Sequence, residues 1–224
     1  MILTPEELET VNERMVTYHI TYQEIYDEIL DHIINAAETA RKDGDQRNIE
    51  PLFDEIMNTH FGGSKGLRKI VFQNVMAYNK KVSKEFKTNF KSYLNWQIVV
   101  LIAIIIIASF YLPETKTVNA ILLFAVIIAS FFPVFYALIK TWGIKTIKRK
   151  QSLAKAHVMG FSQRLTIITY VILFVPRFIP NAWHLSFLNP LRYSPFIYVT
   201  LLCLFVIYTL STIQLYKQVF KVNV

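Results

Sequence analysis

One cysteine, Cys203, stands in 224 residues, which excludes an intramolecular disulfide and any Cys-rich zinc site. Acids are nearly absent from most of the chain: beyond residue 60 only Glu85 and Glu114 carry a carboxylate. Glycine and proline are missing over forty-six consecutive residues, Leu67 to Leu112, so no breaker obliges a helix to stop there. The opening MILTPEELET lacks the basic-then-apolar order of a secretory signal, and the expectation is an uncleaved, cytoplasmic amino terminus. No Walker pattern accompanies the glycine pair Gly62–Gly63, and no nucleic-acid recognition motif accompanies the bases. Direct nucleic-acid binding is not expected.

What the chain does contain is a sharp division of charge and hydropathy. Residues 1–60 hold fourteen of the sixteen acids against four bases, a formal −10, and the remainder carries +18. The basic part also contains the long apolar runs in a chain that is 53% hydrophobic. Bases beside apolar runs face anionic lipid headgroups, so a bilayer is the expected partner.

Tyr93 to Leu112 is twenty residues without a formal charge, the length a helix needs to cross about 30 Å of hydrocarbon. Further spans are predicted at about 118–139, which contains Pro133, at 165–180, and at 195–216. The third is interrupted by Pro176 and Arg177 and fits either a short tilted span or a re-entrant segment. Lys80, Lys81, Lys84, Lys87 and Lys91 precede the first span. Lys140, Lys145, Lys148, Arg149, Lys150, Lys155 and Arg164 lie between the second and third without an acid. Both groups belong on the cytoplasmic side, which gives four spans with both termini inside.

The acidic part reads as short helices. Thr4 with Pro5 and Glu7, and Thr21 with Glu24, have capping-box spacing. In TYQEIYDEILDHI and its continuation, Tyr22, Ile25, Tyr26, Ile29, Leu30, Ile33 and Ala37 form one face. Glu24, Asp27, Glu28 and Asp31 cover the other, with His32 at the boundary. Glu28 and His32 have i, i+4 metal-ligand spacing, but a site needs three or four converging ligands. Carboxylates pointed at water also lack the burial that catalysis requires. A solvated acidic face that binds a partner is therefore preferred, with no catalytic group, cofactor or metal expected. A third helix is predicted from about Ile49 to Thr59, ended by His60-Phe61-Gly62-Gly63. After it, Leu67, Val71, Val75, Tyr78, Val82, Phe86, Phe90 and Tyr93 make one apolar seam. Its first half is expected to pack intramolecularly, and a homodimer stays open. Between Gly143 and Gly160 the basic stretch is expected on the membrane surface, with Ile144, Ile147 and Leu153 toward lipid.

TYQEIYDEILDHI, the turn at Gly44, EPLFDEIMNTHFGG and GLRKIVFQNVMAYNKKVSK together resemble the HAAS-type helical signalling domains of bacterial membrane proteins. They are also similar to helical amino-terminal regions of Bacteroidetes membrane proteins. The resemblance covers about residues 1–85. It implies a compact, non-enzymatic cytosolic domain working with a PadR-type regulator at the inner membrane. The expected fold is all-α: an acidic domain over 1–63, a basic connecting helix over 64–92 and a four-helix transmembrane region over 93–224, joined by one long continuous helix. The expected function is regulatory, the acidic domain binding a cytosolic partner or folding onto the basic membrane-proximal surface, with Glu24, Asp27, Glu28, Asp31 and His32 as a partner surface. Lys145, Lys148, Arg149, Lys150 and Lys155 form a membrane-proximal basic surface. The alternative is a small transporter or membrane enzyme built on Arg177 and His184, because an arginine at membrane depth is costly unless it is used.

Overall fold

The structure, a computed structural model, describes residues 3–147, 149–174 and 194–221. Among them the chain is all-helical, in the order α1 (Pro5–Val16), α2 (Gln23–Lys42), α3 (Ile49–Phe61), α4 (Gly63–Ser92), α5 (Trp96–Ser109), α6 (Lys116–Thr141), α7 (Leu153–Phe174) and α8 (Pro195–Lys221). Packing divides it into two units: residues 1–81 with 144–153, and residues 82–143 with 154–224. The division falls inside α4.

The first unit is built on the helical periodicity of its sequence. Thr4 and Glu7 close a reciprocal capping box at α1, the Glu7 N–H donating to Thr4 Oγ1 at 3.2 Å and the Thr4 N–H to Glu7 Oε2 at 2.9 Å. From α2, Ile25, Tyr26, Ile29, Ile33 and Ala37 are buried. They pack on Val11 and Met15 of α1 and on Leu52, Phe53, Ile56 and Met57 of α3, with Leu67 of α4 completing the cluster. Each Val, Leu, Ile, Phe or Met among them contributes on the order of 1.5–3 kcal/mol by leaving water. Val71, Val75 and Tyr78 continue along α4 against the same core, as the seam predicts.

Two glycines make the α3–α4 corner. Gly62 caps α3 at φ 65°, a left-handed conformation that costs a side-chain-bearing residue energy. At Gly66 an added Cβ would sit 1.9 Å from the Phe61 carbonyl oxygen, so only glycine lets the two helices turn so tightly. Ion pairs tie the outside. Arg41 reaches Glu7 Oε1 at 2.5 Å and the Asp45 carbonyl at 2.7 Å, and Arg14 pairs with Asp54. Arg47 clasps both Asp45 oxygens and Glu55.

In the second unit, α6 and α8 are long and apolar enough to cross a bilayer, which marks the chain as a membrane protein; a third crossing results if α4 and α5 form one broken span. Ile104, Phe124, Phe135 and Leu204 are each about half exposed or more. A band of large apolar side chains turned outward on helices of this composition suits lipid and would be unfavourable in water. Inward, Val126, Leu165, Tyr198 and Phe205 join α6, α7 and α8. The α6 helix runs through Pro133 without ending. Thr166 of α7 donates to the Ser130 carbonyl at 2.9 Å, one turn before that proline, so a neighbouring helix supplies a donor where proline disturbs the ladder. Near the other end of α8, Asn89 and Gln218 exchange side-chain amide bonds at 2.8 and 3.2 Å, and the Phe86 ring packs at a tilt against those of Phe161 and Tyr208, both at 4.9 Å.

The expected unbroken helix from 64 into the first span is not formed. It stops at Ser92, and α5 starts at Trp96 with a bend of 67° between them. No glycine or proline is needed, because Asn95 adopts an extended conformation and its Oδ1 accepts the Ile98 N–H at 2.9 Å. A good N-cap stabilises a new helix start where breakers are absent. The third predicted span is helical up to Phe174 as part of α7, and the rest of it lies outside the described residues.

Asn95→Ala removes that cap. It should cost about 1 kcal/mol and speed amide exchange at 96–98 without changing exchange in α2 or α3. Arg47 also holds the Asp45 carboxyl down at about 2 from its ordinary 3.8. A depressed carboxyl stabilises the fold above its unfolded value and loses that contribution as pH falls through the folded one. A carboxyl NMR titration should therefore place Asp45 near 2, and Arg47→Ala should return it to about 3.8.

Candidate functional site

The α1 helix ends at Val16 and α2 begins at Gln23, leaving residues 17–22 with backbone groups that no helix satisfies. The described residues of 144–152 equally lie outside any helix. These two segments meet within the first unit. Tyr22 and Gln151 form a parallel bridge, in which the Gln151 N–H donates to the Thr21 carbonyl at 2.9 Å and the Gln23 N–H donates to the Gln151 carbonyl at 3.0 Å. Gln23 Oε1 also accepts the Ile147 N–H at 3.0 Å.

Side chains close the contact at both ends. Glu24 Oε1 accepts the Ser152 hydroxyl at 2.7 Å and Oε2 accepts the Leu153 N–H at 2.8 Å. This carboxylate thus serves the residue where α7 begins, a position that favours negative charge. At the other end, Lys150 Nζ donates to the Ile20 carbonyl at 2.6 Å and lies 4.1 Å from the Tyr26 ring centroid. Burial pushes the Lys150 ammonium's pKa down, and Asp27 opposes the shift. Burial likewise raises the Tyr26 phenol, with Asp27 adding to it. Leu153 is buried in the helical core at 4% exposure. We call residues 144–153 the strap.

Several expectations change here. Glu24 is not the partner of a Thr21 capping box: α2 starts one residue later than expected, with no side-chain cap, and the carboxylate is committed to the strap. Leu153 faces protein, not lipid, and the described residues of 144–152 form no amphipathic surface helix, because pairing with 20–24 satisfies backbone groups that a surface helix would have satisfied internally. Of the predicted partner surface, Glu28, Asp31 and His32 are exposed and Asp27 is half-buried. Lys145 and Arg149 are exposed, Arg149 at a left-handed φ of 69°. Lys155 belongs to the second unit and donates to the Thr141 carbonyl at 3.3 Å. Lys148, Arg177 and His184 lie outside the described residues.

Among the described residues no group of three His, Cys, Asp or Glu converges to hold a metal. The unit does bring together residues that spacing alone does not relate. His32 and His60 line one cleft of about 540 Å³ with Asn35, Thr39 and Ile70. Twenty-eight positions separate these two histidines, and no local signal links them. A larger cleft, of about 660 Å³, lies between residues 17–22 and α4.

No family model, curated protein or solved structure matches the chain.

Glu24→Ala tests the strap directly. Removing an ionised acceptor costs about 1.5–3 kcal/mol, so amides of residues 147–153 should exchange roughly ten- to a hundredfold faster, while those of α3 keep their rate.

Proposed function

We propose that the chain is a non-enzymatic, multi-pass protein of the bacterial cytoplasmic membrane, with a regulatory role exerted through its amino-terminal helical unit. The observation that carries this reading is the strap. A segment that follows α6 in sequence, and leads straight into α7, folds as part of the cytosolic unit through Gln151, Lys150, Ser152 and Leu153. A unit held by a short, polar, charge-assisted contact can be released by any partner that binds its freed form better.

The resemblance of residues 1–85 to HAAS-type domains supports the same reading and suggests the partner, a cytosolic regulator of PadR type. Glu28, Asp31 and His32 supply the exposed surface for it, with Asp27 and Glu24 beside the strap. Arrangement in four spans, with both termini cytoplasmic, is favoured by the distribution of Lys and Arg. Anionic headgroups then face Lys80, Lys81, Lys84, Lys87 and Lys91, of which all are exposed.

Single-cysteine labelling in a Cys203→Ser background checks the arrangement. An impermeant reagent should react at Thr115 and Ser186 and spare Ser64 and Asn223 in intact cells. Labelling of Ser64 from outside would refute the orientation, and no labelling at Ser186 would refute the four-span arrangement.

A further inference from the structure

The cleft of about 660 Å³ in the first unit has the chemistry of a ligand site. Its floor is one face of α4, where Ser64, Leu67, Arg68, Val71, Phe72 and Val75 recur at helical spacing. Its opposite wall is the α1–α2 connection, with Tyr18, Ile20 and Tyr22. His19 in that wall holds a left-handed φ of 51°, which is uncommon outside glycine and shapes the connection around the cleft. Volumes of about 300–1,000 Å³ with apolar walls and few polar groups are typical of small-molecule sites.

Charge selects the class of ligand. Residues 1–60 are strongly acidic, yet from Gly63 to Lys81 there are five bases and no acid. Arg68 lies on the cleft itself, is exposed, and makes no ion pair among the described residues. Arg14, Arg41 and Arg47 in the same unit each hold a carboxylate. Large apolar side chains are exposed at the cleft and beside it, Phe72 at 65%, Val16 at 55% and Met76 at 52%. Lone exposed apolar residues need no explanation, but a cluster rimmed by a cation does.

A cleft of about 660 Å³ lies within the range of small-molecule sites, and a single apolar chain fits it.

We propose that the cleft between residues 17–22 and α4 binds a free single-chain anionic amphiphile of the fatty-acid type. The chain lies along Leu67, Val71 and Val75, Phe72 covers it, and the carboxylate pairs with Arg68. The assignment is independent of the regulatory reading above, although the wall that the chain touches includes Ile20 and Tyr22, which also hold the strap.

The test uses the full chain in nanodiscs of zwitterionic phosphatidylcholine, with a photoreactive long-chain fatty acid as probe and the matching fatty alcohol as control. Peptide mapping should place fatty-acid adducts on residues 17–22 and 64–75. Arg68→Gln, a surface change that leaves the core intact, should lower those adducts about tenfold, the equivalent of one charge-assisted bond, and leave alcohol adducts unchanged. Val71→Trp, which fills the cleft, should abolish both, with α2 amide exchange confirming that the unit remains folded. Adducts confined to α5, α6 and α8 would mean the probe reports only bilayer lipid, and the proposal would be overturned. Equal cleft labelling in the wild-type chain and Arg68→Gln would overturn it as well.

Discussion

Backbone groups outside helices must still find partners, and in the first unit two irregular segments satisfy each other. Residues 17–22 keep turn bonds from Thr17, Tyr18 and His19 to the end of α1 and one from Tyr26 to the Tyr22 carbonyl, which leaves the groups between them open, and the described residues of 144–152 lie outside any helix. Bridging Tyr22 with Gln151 pairs three of the groups concerned, and Gln23, Glu24 and Lys150 deal with others. Buried or partly buried backbone groups left unpaired cost more than a made bond contributes. The position of the strap, the burial of Leu153 and the first residues of α2 all depend on this mutual completion.

The α4 helix works under a related constraint. Its apolar residues recur at three and four positions, but the surfaces that they cover change along its length. Leu67, Val71, Val75 and Tyr78 lie on the core of α1–α3, whereas Val82 and Phe86 are buried in the second unit. Opposite these residues the helix presents lysines. A helix with one apolar seam and one basic face can pack on protein along the seam and keep its lysines in water or against anionic headgroups, and it ends where Asn95 offers a better start for the next helix than continuation would.

Local order was legible from residues close in sequence. The Thr4–Glu7 box, the buried face of α2, the glycine corner after α3 and the apolar character of α5, α6 and α8 follow from spacing of three or four residues or from uncharged runs of membrane length. The Thr21–Glu24 pair shows where such reading fails. Its spacing suits a capping box, but a carboxylate takes the best donors within reach, and folding brought Ser152 and Leu153 there. The cleft beside it was hidden for the same reason, since Tyr18 and Val71 are unrelated in sequence and only packing makes them opposite walls.

The amino-acid sequence by itself determined the helical class, the division of charge, the membrane-length apolar runs and the buried face of the helices in the first unit. These depend on interactions within a few turns or on transfer from water, and both are properties of short stretches. Only the tertiary structure decided that residues 144–153 belong to the amino-terminal unit and that Lys150 serves a carbonyl 130 positions away. Those outcomes depend on which unsatisfied donors and acceptors folding brings together, and distance along the chain carries no record of that.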